Sequence, residues 1–156
     1  MSARPAGNAL RFSAMRVEDV PEVLRIEQAA YPFPWTGGNF LDSIRSGYLC
    51  RVGRDASGRM VGYFLIMSAL DEAHLLNITV DPPVHGRGHG LALLEHATDC
   101  ARERGMRSIM LEVRPSNQRA LAIYERYGYG RIGVRRNYYP APNNTRENAI
   151  VMRMPL

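Results

Sequence analysis

The chain has 156 residues, 46% hydrophobic and 22% charged, which suits one globular domain with a buried core. Its formal charge is +5 and all of its 20 basic residues are arginine, which excludes both a Walker-A lysine for nucleotide chemistry and a Schiff-base lysine for pyridoxal phosphate. No run approaches the roughly 18 apolar residues of a membrane span and the opening MSARPAGNALRF lacks a signal core, so a cytoplasmic protein with no membrane partner is expected.

Residues 1–9 are expected to be a disordered N-terminus and 10–156 a single domain. Leu10 to Ala14 reads as a short strand, and Val20, Val23, Leu24 and Glu27 mark one face of a helix over about 18–30. Thr36 can cap a second helix carrying Phe40 and Ile44, which Gly47 would end. Strands follow at Tyr48 to Val52, Met60 to Ser68 and His74 to Val80, the first two joined by a turn within 53–58. A helix then runs to Arg104 with Leu93, Leu94, Ala97 and Ala101 inward and Gly105 as its stop. Ser108 to Val113 is a strand, Asn117 caps a helix ending at Gly128, and strands near 129–138 and 148–154 are separated by PAPNNT. This order predicts an α/β protein, a mixed central sheet flanked by helices.

Cys50 and Cys100 lack metal-ligand spacing and read as reduced core residues; no metal is expected. The sequons at Asn77 and Asn143 carry no meaning in a cytosolic chain. The arginine excess, from Arg102 to Arg136, never forms a block longer than two and reads first as a solvated surface, and direct nucleic-acid binding is not expected; a polyanionic ligand or an RNA-rich neighbourhood is the sharper alternative.

Residues 80–94, VDPPVHGRGHGLALL, place Gly86, Gly88 and Gly90 between a strand and a helix start. Amides of a first helical turn have no partner within the helix, and glycines let an anion approach them, so the spacing points to phosphate. A dinucleotide fingerprint fails, because it needs glycine where Leu91 stands and no Pro82-Pro83 spacer. The glycines also suit a plain tight turn.

The stretch NITVDPPVHGRGHGLALL resembles the acetyl-CoA signature of the GNAT acetyltransferases, Arg/Gln-x-x-Gly-x-Gly/Ala, with His85 standing where Gln or Arg is usual. The resemblance implies the GNAT acyl-CoA N-acyltransferase fold, with acetyl-CoA as co-substrate. It assigns the pyrophosphate to the backbone of Gly86, Arg87, Gly88, His89, Gly90 and Leu91, the pantetheine arm to Ile78, Thr79 and Val80 on a strand that splays from its neighbour, and a further cofactor contact to Asn117. Three more stretches, FPWT at 33–36, LEVRPSNQRALAIYERYGY at 111–129 and RRNYYPAPNNTRENAIVM at 135–152, resemble the bacterial ribosomal-protein-alanine N-acetyltransferases, the Rim-type branch of that family. That branch acetylates a ribosomal protein's N-terminal alanine. A departure is TREN at 145–148, where the family often has Asp after the Glu.

Acetyl transfer from a thioester needs a neutral amine, an oxyanion stabiliser and an acid for the departing thiolate. An α-amine, with a pKa near ~8, is about 3 kcal/mol cheaper to deprotonate than a lysine near ~10.4. By the resemblance Glu112 is the general base and Tyr124 the general acid, with a peptide N–H at the end of the 74–80 strand serving the oxyanion. Each has a plainer alternative. Glu112 lies opposite Ile109, Leu111 and Val113 and reads equally as a solvated carboxylate, and Tyr124 keeps core spacing with Ala120, Ile123 and Tyr127. Asn117 can be an N-cap alone, and Trp35, Tyr138 and Tyr139 can be core aromatics or the lining of a peptide cleft. The expected function is therefore acetylation of a ribosomal-protein N-terminus. Acetylation of lysine side chains or small amines, and a non-catalytic CoA-binding module associated with the ribosome, are the alternatives.

Overall fold

Local chemistry decides most element ends in the computed structural model, which describes residues 9–156; residues 1–8 of the expected disordered N-terminus lie outside the described residues. Thr36 Oγ1 accepts from Asn39 N at 3.1 Å while Asn39 Oδ1 accepts from Thr36 N at 2.9 Å, a reciprocal capping box. Asp55 Oδ1 gathers the N–H groups of Ser57 and Arg59 at 2.9 and 3.1 Å, folding the hairpin turn between the second and third strands. The described residues fall into two compact units, one of residues up to Met67 with Asn77–Ala97, the other of Ser68–Leu76 with Thr98–Leu156.

The first unit holds strand β1 (Arg11–Ala14), helices α1 (Val20–Ala30) and α2 (Gly37–Arg45), strands β2 (Leu49–Arg54) and β3 (Met60–Ala69) to Met67, the later half of β4 (Glu72–Val80), and α3 (His89–Glu103) to Ala97. A 3-10 turn, Val17–Asp19, occupies the start of the expected first helix, and Pro21 then stands in the first turn of α1, where its missing N–H costs nothing. Strands follow in the order β1-β2-β3-β4, with β1/β2 and β2/β3 antiparallel. Residues 60–66 of β3 are buried without a break, the mark of a strand covered on both faces. Val23, Ile26, Phe40, Val52, Met60, Tyr63 and Leu65 form the core, with the Phe40 and Tyr63 rings edge to face at 5.7 Å.

The second unit contains the start of β4, the last turns of α3, strand β5 (Ser108–Val113), helix α4 (Gln118–Tyr127) and strands β6 (Gly130–Ala141) and β7 (Thr145–Pro155). Its order is β4-β5-β7-β6; β4 and β5 run parallel and the other pairs antiparallel, so the sheet is mixed as expected. Ile109, Leu111 and Val113 of β5 face its core with Leu121, Tyr129, Ala149 and Met152. Gly105 and Gly128, at φ 76° and 130°, end α3 and α4. The PAPNNT segment departs from expectation. Strand pairing continues to Ala141 and resumes at Thr145, leaving a three-residue turn in which Asn143 and Asn144 take φ 60° and 56°, a region asparagine tolerates. Cys50 and Cys100 are both buried thiols outside any disulfide, and burial pushes the Cys50 thiol up to about 11.

Candidate active site

In the first unit, β4 ends in Ile78, Thr79 and Val80, and Pro82–Val84 then form a 3-10 turn that buries Val84. The Pro-Pro spacer is thus a structured step between strand and loop. Asp81 at the junction is fully buried; its Oδ2 accepts from Arg25 and Arg59 at 3.2 and 3.1 Å, and its N–H bonds Val61 O at 2.8 Å. Gly86 and Gly88 take φ 78° and 83°, and no atom lies within 4 Å of where a Cβ would stand on either. That open, left-handed backbone leads into the first turn of α3, with Arg87 exposed beside it. This cradle fits a pyrophosphate. His85 folds back instead of outward: Nε2 donates to Val80 O at 2.8 Å, so the residue that departs from the usual Gln or Arg staples the loop to the strand end. His89 is buried in the first turn of α3, where burial and then Arg87 hold its imidazole below the ordinary range, so it is neutral near pH 7.

Behind Ile78–Val80 lies a polar network centred on a residue that sequence reasoning placed only on a helix face. Glu27, 2% exposed, accepts from Tyr63 Oη at 2.7 Å, Trp35 N at 2.9 Å and Asn77 Nδ2 at 3.1 Å. Thr79 Oγ1 donates to Asn77 Oδ1 at 2.8 Å, and Tyr31 Oη lies 2.7 Å from Thr79 Oγ1. Burial pushes the Tyr31 phenol up to about 12. The network ties the aromatic segment 33–35 to β4. A carboxylate on an otherwise apolar helical stripe was the available signal. Trp35 is half-buried and packs on Phe40 at 5.2 Å, against the core of this unit.

In the second unit, Glu112 is no solvated carboxylate. Its side chain is 6% exposed, Oε2 lies 2.5 Å from His74 Nε2, and Oε1 accepts from Arg135 Nε at 3.1 Å. Burial pushes its carboxyl up, but the His74 contact and the Arg135 guanidinium outweigh it and hold the group below the ordinary range. Neither His74 nor Arg135 is apparent from local pattern, since they come from β4 and β6. The β4/β5 register runs Glu72↔Ser108, Ala73↔Ile109, His74↔Met110 and stops there.

Asn117 is the N-cap of α4, its Oδ1 accepting from Ala120 N at 3.2 Å. Tyr124 is half-buried, its ring 5.7 Å from that of Tyr129; of its helix only Leu121 is fully inward, while Ala120, Tyr124 and Tyr127 of the expected stripe are half-buried and Ile123 is exposed. Between Arg135 and Tyr139 the β6/β7 register slips, and Asn137 turns to φ 52°. Asn148 Oδ1 accepts from Asn137 N at 3.0 Å, so the residue that replaces the usual Asp supplies the acceptor the bulge needs. The bulge leaves Tyr138 44% exposed and edge-on to Tyr139 at 4.9 Å. Arg114 lies 4.3 Å from the Tyr139 ring centre and pairs at 3.1 Å with Glu147, which also accepts from Ser116 N at 2.9 Å. Burial raises both tyrosine phenols, and the Glu112 charge adds to it.

The mixed sheet with its flanking helices is the acyl-CoA N-acyltransferase fold. The chain belongs to the acetyltransferase (GNAT) family, which matches over residues 20–129. It is 40% identical over 145 residues to the ribosomal protein bS18-alanine N-acetyltransferase of Escherichia coli strain K12, covering 93% of this chain and 97% of that protein. The crystal structure of the ribosomal-protein-S18-alanine N-acetyltransferase from Escherichia coli is similar with a TM-score of 0.86 at 39% identity, covering 94% of each chain. Ard1 from Thermoplasma volcanium is similar with a TM-score of 0.83 at 28% identity, covering 95% of this chain and 98% of its own. No helix among the described residues is long and apolar enough to cross a membrane.

Proposed function

We propose that this chain transfers acetyl from acetyl-CoA to the α-amine of an N-terminal alanine on a ribosomal protein, in the cytoplasm. The observation that carries this reading is 40% identity, across 93% of the chain, to a protein named for that reaction. The backbone of residues 86–91 holds the pyrophosphate, Ile78, Thr79 and Val80 align the pantetheine arm, and Asn117 adds a contact while capping α4. Acetyl-CoA supplies an activated acyl group on sulfur. Glu112 provides the base that removes the acceptor's ammonium proton, and the Tyr124 phenol protonates the departing thiolate. Trp35, Tyr138 and Tyr139 receive the acceptor peptide. An α-amine suits this base better than lysine, because about 3 kcal/mol less is needed to make it neutral.

The test is incubation with acetyl-CoA and ribosomal proteins, with the N-terminal peptides read by mass spectrometry. Acetyl on an N-terminal alanine is expected. Preference for an N-blocked, lysine-bearing peptide over an Ala-initiated one would refute the α-amine assignment, and CoA binding without any turnover would leave a binding module.

A further inference from the structure

We propose that His74 is where the acceptor's ammonium proton is stored, Glu112 serving as the carboxylate that orients the imidazole and fixes its tautomer. The inference rests on the acetyl-transfer reading and on Glu112 belonging to the base. The parallel β4/β5 pairing ends at His74↔Met110, and Glu112, two residues further along β5, keeps Met110's face of the sheet. His74 Nε2 and Glu112 Oε2 are 2.5 Å apart. A ring nitrogen and a carboxylate oxygen at hydrogen-bond distance need a proton between them, and Glu112 is a carboxylate, so Nε2 carries the proton and donates it. In the neutral ring the lone pair is then on Nδ1.

Each oxygen of the carboxylate already accepts a bond. Oε2 accepts from His74 and Oε1 from Arg135, and the Glu112 side chain is 6% exposed against 18% for His74. A proton placed on either oxygen would weaken a charge-assisted bond; a proton placed on Nδ1 keeps both and turns the His74 contact into an ion pair. The step balances simply. The ammonium N–H bond breaks, an Nδ1–H bond forms, the amine nitrogen keeps the electron pair and becomes the nucleophile, and His74 passes from neutral to cationic before losing the proton to solvent. The carboxylate opposite stabilises that cation.

Other charged and titratable groups bear on the pair from each neighbouring strand. From β6 come Arg135, Tyr138 and Tyr139, the two phenols feeling the Glu112 charge. On β4, Glu72 shares the His74 face and is held by Arg153 of β7 at 2.8 Å and by Ser108 of β5 at 2.8 Å. Arg114 of the β5 end is committed to Glu147. His74 is therefore the group that takes the proton and Glu112 the positioning residue, and the two roles separate experimentally.

His74→Gln keeps an N–H donor for Glu112 and removes the basic nitrogen. Acetylation of an Ala-initiated peptide is measured at saturating acetyl-CoA and peptide, where chemistry limits the rate, for wild type, His74→Gln and Glu112→Gln. At about pH 8 His74→Gln is expected to be at least ~10-fold slower, and the ratio of wild type to variant to fall as pH is lowered, because only a ring nitrogen with a free lone pair can take the ammonium proton. An unchanged rate, or a deficit that does not vary with pH, overturns the inference and leaves Glu112 as sole base, provided Glu112→Gln is slow. Glu112→Gln turning over as fast as wild type instead removes Glu112, and the pair with it, from the chemistry. A variant-free readout is the ¹⁵N shift of the His74 ring near pH 8: protonated Nε2 with bare Nδ1 is expected, and the opposite tautomer overturns the proposal.

Discussion

Replacing Gly62 with alanine probes most sharply the link between packing and the strand proposed to align acetyl-CoA. A Cβ at this position stands 2.4 Å from Thr79 O, 2.7 Å from Leu93 Cδ1 and 3.3 Å from Val80 Cα. Carbon and oxygen ordinarily come no nearer than about 3.3 Å, so the methyl group intrudes by roughly 0.9 Å. Leu93 is fully buried and has little room to turn, and Thr79 O is main chain, which no rotamer change can withdraw. The relief left is for β3 and β4 to part at Thr79 and Val80. Overpacking costs about 1–3 kcal/mol, and a main-chain obstacle puts this case at the upper end. At ~2–4 °C per kcal/mol for a chain of this size, the melting temperature should fall by about 6–12 °C. Because Ile78 to Val80 are the residues assigned to the pantetheine arm, a shift approaching ~1 Å should also weaken function, by up to ~10²-fold. Scanning calorimetry measures the first effect and titration with acetyl-CoA the second. A midpoint within about 2 °C of wild type together with unchanged affinity would refute the argument.

Gly88→Val acts for a different reason: at φ 83° with nothing within 4 Å, the substitution costs about 1–2 kcal/mol of left-handed backbone strain and closes the anion approach. Acetyl-CoA affinity should drop ~10-fold or more in a folded protein, and calorimetric titration showing no change would remove the phosphate-cradle assignment. Tyr124→Phe should lower kcat while leaving the peptide KM near its original value, if the phenol acts on the leaving thiolate as proposed; equal rates where chemistry is limiting would take Tyr124 out of the mechanism. Glu112 has a folded-state pKa below its ordinary value, so its contribution to stability is present above that value and disappears as pH falls through the folded one. The difference in melting temperature between wild type and Glu112→Gln should accordingly narrow from about pH 6 to about pH 3, and a difference that widens over that range contradicts the ion-pair account.

Elements whose causes are local were legible. The Thr36 and Asn117 caps, the Gly105 and Gly128 stops, the alternation of Ile109, Leu111 and Val113, and the strand-glycine-helix order around Gly86 to Gly90 all depend on residues within a turn or two of each other. The hairpin after Tyr139 was misjudged because proline and asparagine clusters read as loop, whereas antiparallel pairing to β7 carries Pro140 and Ala141 into the strand. The chemistry of Glu112 was only half legible. Its place opposite the buried face of β5 follows from alternation, but whether that other face meets water or partners does not.

By itself, the amino-acid sequence determined the α/β order, the phosphate-suited backbone before α3 and, through resemblance, the family and the candidate residues. Only the tertiary structure decided that Glu112 meets His74 and Arg135, that Glu27 gathers Tyr63, Trp35 and Asn77, and that Gly62 must lack a side chain. The physical reason is range. Caps, turns and periodicity are settled by neighbours along the chain, while a carboxylate's partners arrive from strands 38 residues before and 23 residues after it, and their meeting depends on sheet register that no local pattern specifies.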